Sequence, residues 1–263
     1  MTDPIADHLE DLRRAQYSQS AIVARERVLR AMPQPILTAD RTQVQEWWRE
    51  RQDSDRAAAS LSQDSSHVRS FFRWAMQQGY AELNAADWLP RVRQKKPAPT
   101  PVSEGDLYRL MLDAPTDIRR AVALASMAGL RSAEVGAIRW DDIDRGNGVL
   151  WVREGKGGKG RSVPLSSGLL AELGDPGDGY IIGRPMTGKA VSQMIGRYMR
   201  SRGVDLTAHK LRARYATRFL AATGDLKAAA DALGHADLSS ISRYVVASSD
   251  TMRRGAEAAG RIG

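Results

Sequence analysis

Apolar residues recur at helical spacing along most of this chain. Val68, Phe71, Phe72 and Ala75 follow the i, i+3, i+4, i+7 rhythm of one helix face, and Gly79 stands where a helix end favours a left-handed residue. Val44, Trp47 and Trp48 repeat the rhythm after Asp40, a good N-cap. The pattern predicts helices over 20–32, 39–51 and 55–79, a small helical bundle whose tryptophans and phenylalanines serve its core. Further on, Ser103 with Asp106 opens a helix through Leu112, an apolar helix covers 117–128, and a short one carries SAEVGAIRW, 132–140. The period then changes. GVLWVRE and RSVPLS flank the glycine-rich KGGKG, which predicts a β-hairpin, two short β-rich runs around a turn. Helices resume over 187–201, 209–222, 225–233 and 238–247, the last three separated by Gly224 and Gly234. The fold class is mainly α, with one small antiparallel β-hairpin or sheet in the second half.

Between the two halves lies RVRQKKPAPTPV, 91–102, with three prolines, four cations and no apolar rhythm. Proline removes backbone donors and disfavours helix in the preceding residue, so this stretch reads as an extended linker. The expected organisation is a helical domain over 1–90, a basic linker over 91–102 and a second domain over 103–263. No internal repeat or low-complexity tract interrupts it.

Composition narrows the function. The chain has 263 residues, 39 Lys+Arg against 31 Asp+Glu, a net charge of +8 and a pI near 10.0. The first 90 residues are slightly acidic, with 11 basic and 13 acidic side chains. The excess sits in the linker and the second half, where 103–263 carries 24 basic and 18 acidic side chains. Such a surplus favours a polyanion, nucleic acid before anionic membrane. The longest mostly apolar run, AVALASMAGL at 121–130, is far short of the roughly 20 residues a bilayer span needs. The acidic start, MTDPIADHLE, does not read as a secretory signal. With no cysteine there is neither a disulfide framework nor a thiolate metal site, and a reducing cytoplasm is the expected compartment.

Several short motifs carry candidate chemistry. In AGLRSAE, Arg131 and Glu134 are three apart and share a helix face. In HKLR, His209 and Arg212 have the same spacing, to the side of the apolar stripe Leu211, Tyr215 and Phe219. Taken singly, such pairs are ordinary solvated ion pairs. EGKGGKGR offers Lys156, Lys159 and Arg161 on a turn that does not match GxxxxGK(S/T), which disfavours a nucleotide triphosphatase. His209 and His235 are half of the four histidines; each could donate to phosphate or exchange a proton, and a zinc site built on them with Glu134 is the competing reading. Finally LGHADLSSISRYV places Tyr244 nine residues after His235. Arginine forks suit the oxygens of a phosphodiester under attack, a tyrosine can form a covalent phosphotyrosyl link, and a lysine can protonate the leaving oxygen.

The order Arg131, Glu134, Lys156, His209, Arg212, His235, Tyr244, in AGLRSAE, GKGGKGR, HKLR and LGH followed by the tyrosine, resembles the active-site pattern of the tyrosine recombinases, the family of phage integrases and Xer-type recombinases. The helical first half ending in SFFRWAMQQGY, followed by a basic linker, looks like that family's SAM-like core-binding domain. The resemblance implies that Arg131 and Arg212 bind the scissile phosphate and that Lys156, or its competitor Lys159, protonates the 5′ oxygen. It implies that His209 shares proton transfer, His235 hydrogen-bonds a phosphate oxygen, Glu134 orients the site and Tyr244 attacks to give a 3′-phosphotyrosyl intermediate. No metal or other cofactor is expected, because the arginines and histidines supply the charge stabilisation. Arg91, Arg93, Lys95, Lys96, Lys159 and Arg161 are expected DNA contacts.

The implied partner is double-stranded DNA bearing attachment or core-type sites. The implied assembly is a homotetramer on two duplexes, a monomer or weak oligomer without DNA, served in some systems by a directionality factor. About 17 residues precede the first strong helix, so an arm-binding domain is not expected and a short integrase, or an Xer-type dimer resolvase, fits best. The expected setting is the nucleoid of a bacterial cytoplasm, with the chain phage-encoded or chromosomal. The alternatives are a non-catalytic DNA-binding regulator of the same fold and a type IB topoisomerase that cleaves and rejoins one strand. The tail TMRRGAEAAGRIG could pack on a neighbouring subunit or fray.

Overall fold

The computed structural model describes residues 3–90, 100–153 and 160–234. The chain divides into two compact units, 1–96 and 97–263, each with its own core. Among the described residues the fold is mostly helical, with one three-stranded antiparallel sheet. No helix among them is long and apolar enough to cross a membrane.

The first unit is built from α1 (Pro4–Arg14), α2 (Gln19–Arg30), α3 (Arg41–Asp53) and α4 (Ala58–Gln77), with a 3₁₀ turn at Ala85–Trp88. Asp3, Ser18 and Asp40 cap the first three helices with their side chains, and Gln43 closes a capping box on Asp40. The core is Ile5, Leu9, Leu29, Val44, Trp48, Val68, Phe71 and Phe72 with their neighbours. Full burial of each large side chain contributes about 1.5–3 kcal/mol against the entropy of ordering the chain. Polar ties set the helix order: Trp74 Nε1 donates to Asp11 Oδ2 at 2.9 Å, and the buried Arg51 pairs with Asp64 at 2.8 Å while lying over the Trp47 ring. The predicted helices at 20–32, 39–51 and 55–79 correspond to α2, α3 and α4. The sequence reading missed α1, whose Ile5, Leu9 and Leu12 line its buried face behind the Asp3 cap.

The second unit contains α5 (Glu104–Met111), α6 (Thr116–Met127), α7 (Ser132–Ala137), β1 (Ile143–Asp144), β2 (Val149–Val152), β3 (Arg161–Pro164), α8 (Ser167–Leu173), α9 (Gly188–Ser201), α10 (His209–Thr223) and α11 (Leu226–Leu233). Residues Ala121 to Ser126 are apolar or small on every side of α6, and all are buried, because α8, α9 and α10 pack around it. The hairpin is present: Leu150 pairs with Val163 and Val152 with Arg161. The short strand β1 extends it, pairing Ile143 with Leu150; two residues carry no periodicity that could announce them. The seven-residue α8 was also not predicted; its Ser166 cap and buried Leu169 and Leu173 are its signals. α10 and α11 form a helical hairpin in which Ala213, Ala216, Ala229 and Ala230 let the backbones approach closely. The predicted helix at 238–247 lies outside the described residues.

Two buried histidines of the first unit, His8 and His67, have pKa values lowered by burial, His8 to about 4, and make the unit sensitive to acid. His8 on α1 is buried edge-on against Phe71 and 4.9 Å from the Trp74 ring, with no hydrogen-bond partner on either ring nitrogen among the described residues. Burial, reinforced by Arg25 and opposed by Asp11, lowers its pKa from 6.5 to about 4. Between those values the unfolded chain binds the proton and the folded one does not, so stability falls as pH falls from about 6.5 toward about 4. Across that window the loss is about 3 kcal/mol. Urea unfolding of the full chain, followed by tryptophan emission at neutral pH and near pH 4.5, is expected to show this loss; His8→Leu removes most of it.

Candidate active site

The short turn after α6 starts the site. Gly129, at φ +66°, ends α6 in a conformation that L side chains adopt at a cost, and a Cβ there would lie 2.5 Å from Tyr215 Cδ1. The chain then reverses so that Arg131 becomes the N-cap of α7, and Glu134, one turn in, reaches back to accept the Arg131 backbone N–H at 2.7 Å. The sequence reading put both on one helical face; Arg131 stands instead just ahead of the first turn. α7 fits closely against the segment leading into α9, because the Gly136 carbonyl accepts the Met186 N–H at 3.0 Å and Gly136 leaves no room for a Cβ beside the Met186 carbonyl.

Glu134 is the centre of a cluster of guanidiniums. Its Oε1 accepts from Arg131 Nη1 at 2.7 Å and from Arg161 Nη1 at 2.8 Å, and its Oε2 accepts from Arg161 Nη2 at 2.9 Å. Arg212 Nη1 lies 3.7 Å from Oε2. The side chains of Glu134, Arg212 and Arg161 are 4%, 5% and 9% exposed, against 27% for Arg131, so solvent reaches the cluster on the Arg131 side. Burial pushes the Glu134 carboxyl up, but the two Arg161 bonds, the Arg131 backbone N–H and the adjacent guanidiniums outweigh it and hold the pKa at about 2.

The remaining guanidinium donors converge on the last turn of α11. Arg161 Nε donates to the Ala232 carbonyl at 3.0 Å, Arg212 Nη2 to that of Leu233 at 2.6 Å, and Arg131 Nη2 to that of Gly234 at 2.7 Å. Arg212 Nη1 also donates to the Gly129 carbonyl. These are carbonyls that a helix C-terminus leaves without intrahelical partners, and cations there complement the helix dipole. Gly234 ends α11 at φ +61°, and a Cβ there would lie 2.9 Å from Arg161 Cδ.

The structure therefore brings together Arg131, Glu134 and Arg212 and corrects two expectations. Arg212, expected beside the apolar stripe of α10, is buried and faces Gly129 and α11. Arg161, expected as a DNA contact on the hairpin, points inward, and all three of its nitrogens donate to Glu134 or Ala232. His209, first residue of α10 and one turn before Arg212, is exposed. Lys156, Lys159, His235 and Tyr244, with Arg91, Arg93, Lys95 and Lys96, lie outside the described residues. Tyr215 lies near the cluster, but burial raises its phenol pKa against the pull of Arg161 and Arg212, which disfavours phenolate there. Among the described residues no three His, Cys, Asp or Glu side chains are grouped as metal ligands would be. Among the described residues the cluster pairs one carboxylate with three guanidiniums, a local surplus of positive charge suited to an anion such as a phosphodiester.

Residues 105–250 match the family model described as the phage integrase family. The chain belongs to that family. Within this phage integrase family member, residues 5–79 also match the phage integrase N-terminal SAM-like domain. The tyrosine recombinase XerC of Yersinia pestis is 31% identical over 207 residues, covering 71% of this chain and 68% of that protein. In fold the chain resembles lambda integrase, crystallised as a dimer bound to a COC′ core site, with a TM-score of 0.76, 21% identity, and 92% and 93% of the two chains covered. It also resembles a lambda integrase tetramer bound to a Holliday junction, with a TM-score of 0.74, 20% identity, and 91% and 76% covered.

Gly129 supports this site both as a turn and as the partner of Arg212. Gly129→Ala is expected to destabilise the second unit by about 2–4 kcal/mol, combining left-handed backbone strain with overpacking against Tyr215. Denaturant unfolding monitored by circular dichroism measures it.

Proposed function

We propose that this chain is a site-specific DNA recombinase that cleaves and rejoins strands through Tyr244. The observation that carries the reading is the buried cluster of Arg131, Arg161 and Arg212 on Glu134, open on the Arg131 side, within a domain that matches the phage integrase family. In this reading Arg131 and Arg212 take the non-bridging oxygens of the scissile phosphate, where charge builds during attack. The Tyr244 oxygen bonds to phosphorus as the bond to the 5′ oxygen breaks. The phenolic proton passes to solvent or to His209, and Lys156 protonates the leaving 5′ oxygen. His235 steadies a phosphate oxygen. The covalent 3′-phosphotyrosyl link keeps the energy of the phosphodiester, so a 5′ hydroxyl from a second duplex can reverse the step without a nucleotide triphosphate.

The first unit serves as the core-type DNA-binding domain and the second as the catalytic domain, with the basic stretch 91–102, Lys159 and the surrounding cations following the phosphate backbone. Four copies on two duplexes are the working assembly, in a bacterial cytoplasm; where the substrate is a phage or mobile element, a directionality factor would set the balance of integration and excision. The likeness to XerC favours a second biological role with the same chemistry, resolution of chromosome or plasmid dimers.

A nicked suicide duplex carrying the recognition site tests the reading. Wild type is expected to form a covalent protein–DNA adduct and Tyr244→Phe none; adduct formation by both would exclude Tyr244 as the nucleophile. Lys156→Ala is expected to slow cleavage roughly 10²–10⁴-fold, the usual contribution of a general acid. Replacing the bridging 5′ oxygen with sulfur, which leaves without protonation, should restore the rate. If Lys159→Ala gives that pattern instead, the two lysines exchange roles.

A further inference from the structure

Arg161 stands where three parts of the second unit meet. It opens β3, two residues after Lys159, and pairs with Val152. Its forked end closes both oxygens of Glu134 on α7, at 2.8 and 2.9 Å, while its Nε holds the Ala232 carbonyl of α11 at 3.0 Å. Arg131 also reaches both oxygens, but with its backbone N–H on Oε2 and one guanidinium nitrogen on Oε1; Arg161 grips both with the two nitrogens of its fork, the geometry in which a guanidinium fixes the plane of a carboxylate as well as its position. Gly234 provides the passage, since any side chain there would meet the Arg161 stem.

On the proposed function above, we infer that Arg161 is a positioning residue for strand cleavage: it locks Glu134, and through Glu134 the phosphate-binding faces of Arg131 and Arg212. Glu134 accepts from Arg131 and Arg161 and is ion-paired with Arg212 at 3.7 Å, so its orientation sets where Arg131 presents its outward edge. Without the bidentate lock, the carboxylate could rotate toward Arg131 and Arg212 and draw their guanidiniums inward, away from an incoming phosphate. The groups facing Glu134 are Arg131, Arg161 and Arg212, with Arg139, Asp142 and Arg153 across the adjoining cleft. Asp142 is engaged by the Arg139 backbone N–H and the Arg153 side chain. Lysine cannot reproduce the function of Arg161, because a single ammonium cannot donate in a fixed plane to two carboxylate oxygens and to a carbonyl behind it. Arg161 touches neither the reacting atoms nor, in this reading, the DNA, so it differs in kind from Arg131 and Arg212.

Single-turnover cleavage of the suicide duplex by the full chain separates the possibilities, with Arg161→Lys and Arg161→Met compared with wild type. Affinity for the uncleaved duplex and the thermal midpoint are measured on the same preparations. Arg161→Met is expected to bind DNA within about twofold of wild type and to cleave roughly 100-fold more slowly, the scale of a misplaced catalytic group. Arg161→Lys should recover part of the rate, remaining roughly tenfold down for the lost planar bonds. A 5′-bridging sulfur should leave both deficits in place, because the defect lies at the phosphate oxygens and not at the leaving group. Cleavage by Arg161→Lys within threefold of wild type overturns the proposal. So does a loss of DNA affinity matching the loss of rate, which would make Arg161 a DNA contact, and so does rescue by sulfur, which would make it a support for the lysine turn. If Arg161→Met does not fold, the rate, affinity and sulfur response of Arg161→Lys decide. Absence of any adduct with wild type would instead refute the recombinase reading itself.

Discussion

The second unit is organised around the buried carboxylate of Glu134. Glu134 is the counter-charge that lets three arginines share a nearly dry space, and without it their mutual repulsion would oppose the close approach of α7, β3, α10 and α11. Among the described residues Glu134 is the carboxylate paired with these three guanidiniums, and one carboxylate cannot neutralise three. Four further guanidinium donors go to the carbonyls of Gly129, Ala232, Leu233 and Gly234, which carry only partial charge. A site assembled this way is hydrogen-bonded for folding and still short of negative charge. The same arrangement explains the use of arginine, because only a planar, permanently protonated group can face a carboxylate and a helix terminus at once.

Glycine makes that packing possible at two points. Gly129 turns the chain under the Tyr215 ring so that its carbonyl faces Arg212, and Gly234 turns it past the Arg161 stem so that its own carbonyl faces Arg131. Each position needs positive φ and also lacks space for a methyl group, so the backbone and packing demands coincide. The motifs AGLR and LGH therefore contain a structural glycine beside each residue with proposed chemistry.

Much of this was legible in the sequence. The period of apolar residues located α2, α3, α4, α6, α9, α10 and α11, and the glycine-rich interval located the β2–β3 hairpin, because these elements bury a regular face. The motif order identified Arg131, Glu134 and Arg212 as one set; Arg131 is hydrogen-bonded to Glu134 at 2.7 Å and Arg212 is ion-paired with it at 3.7 Å. What was not legible depends on partners remote in sequence. Arg161 is 27 residues from Glu134 and 71 from Ala232, and one cation among several in EGKGGKGR gives no sign that it points inward. Arg212 likewise lies off the apolar stripe by helical geometry and is buried only because α11 covers it. The strand β1 and helix α8 are too short for a period to register.

The clamp on the last turn of α11 limits the reach of the chain beyond it. Gly234 is held by Arg131 and by the turn that closes α11, and Tyr244 follows ten residues later in the same chain. A fully extended chain of that length spans no more than about 33–36 Å. On the function proposed above, chain length alone keeps Tyr244 within that radius of the arginines that would receive its target phosphate. The same length limits exchange: a tyrosine donated to another subunit's site could come only from a neighbour whose α11 ends within that radius.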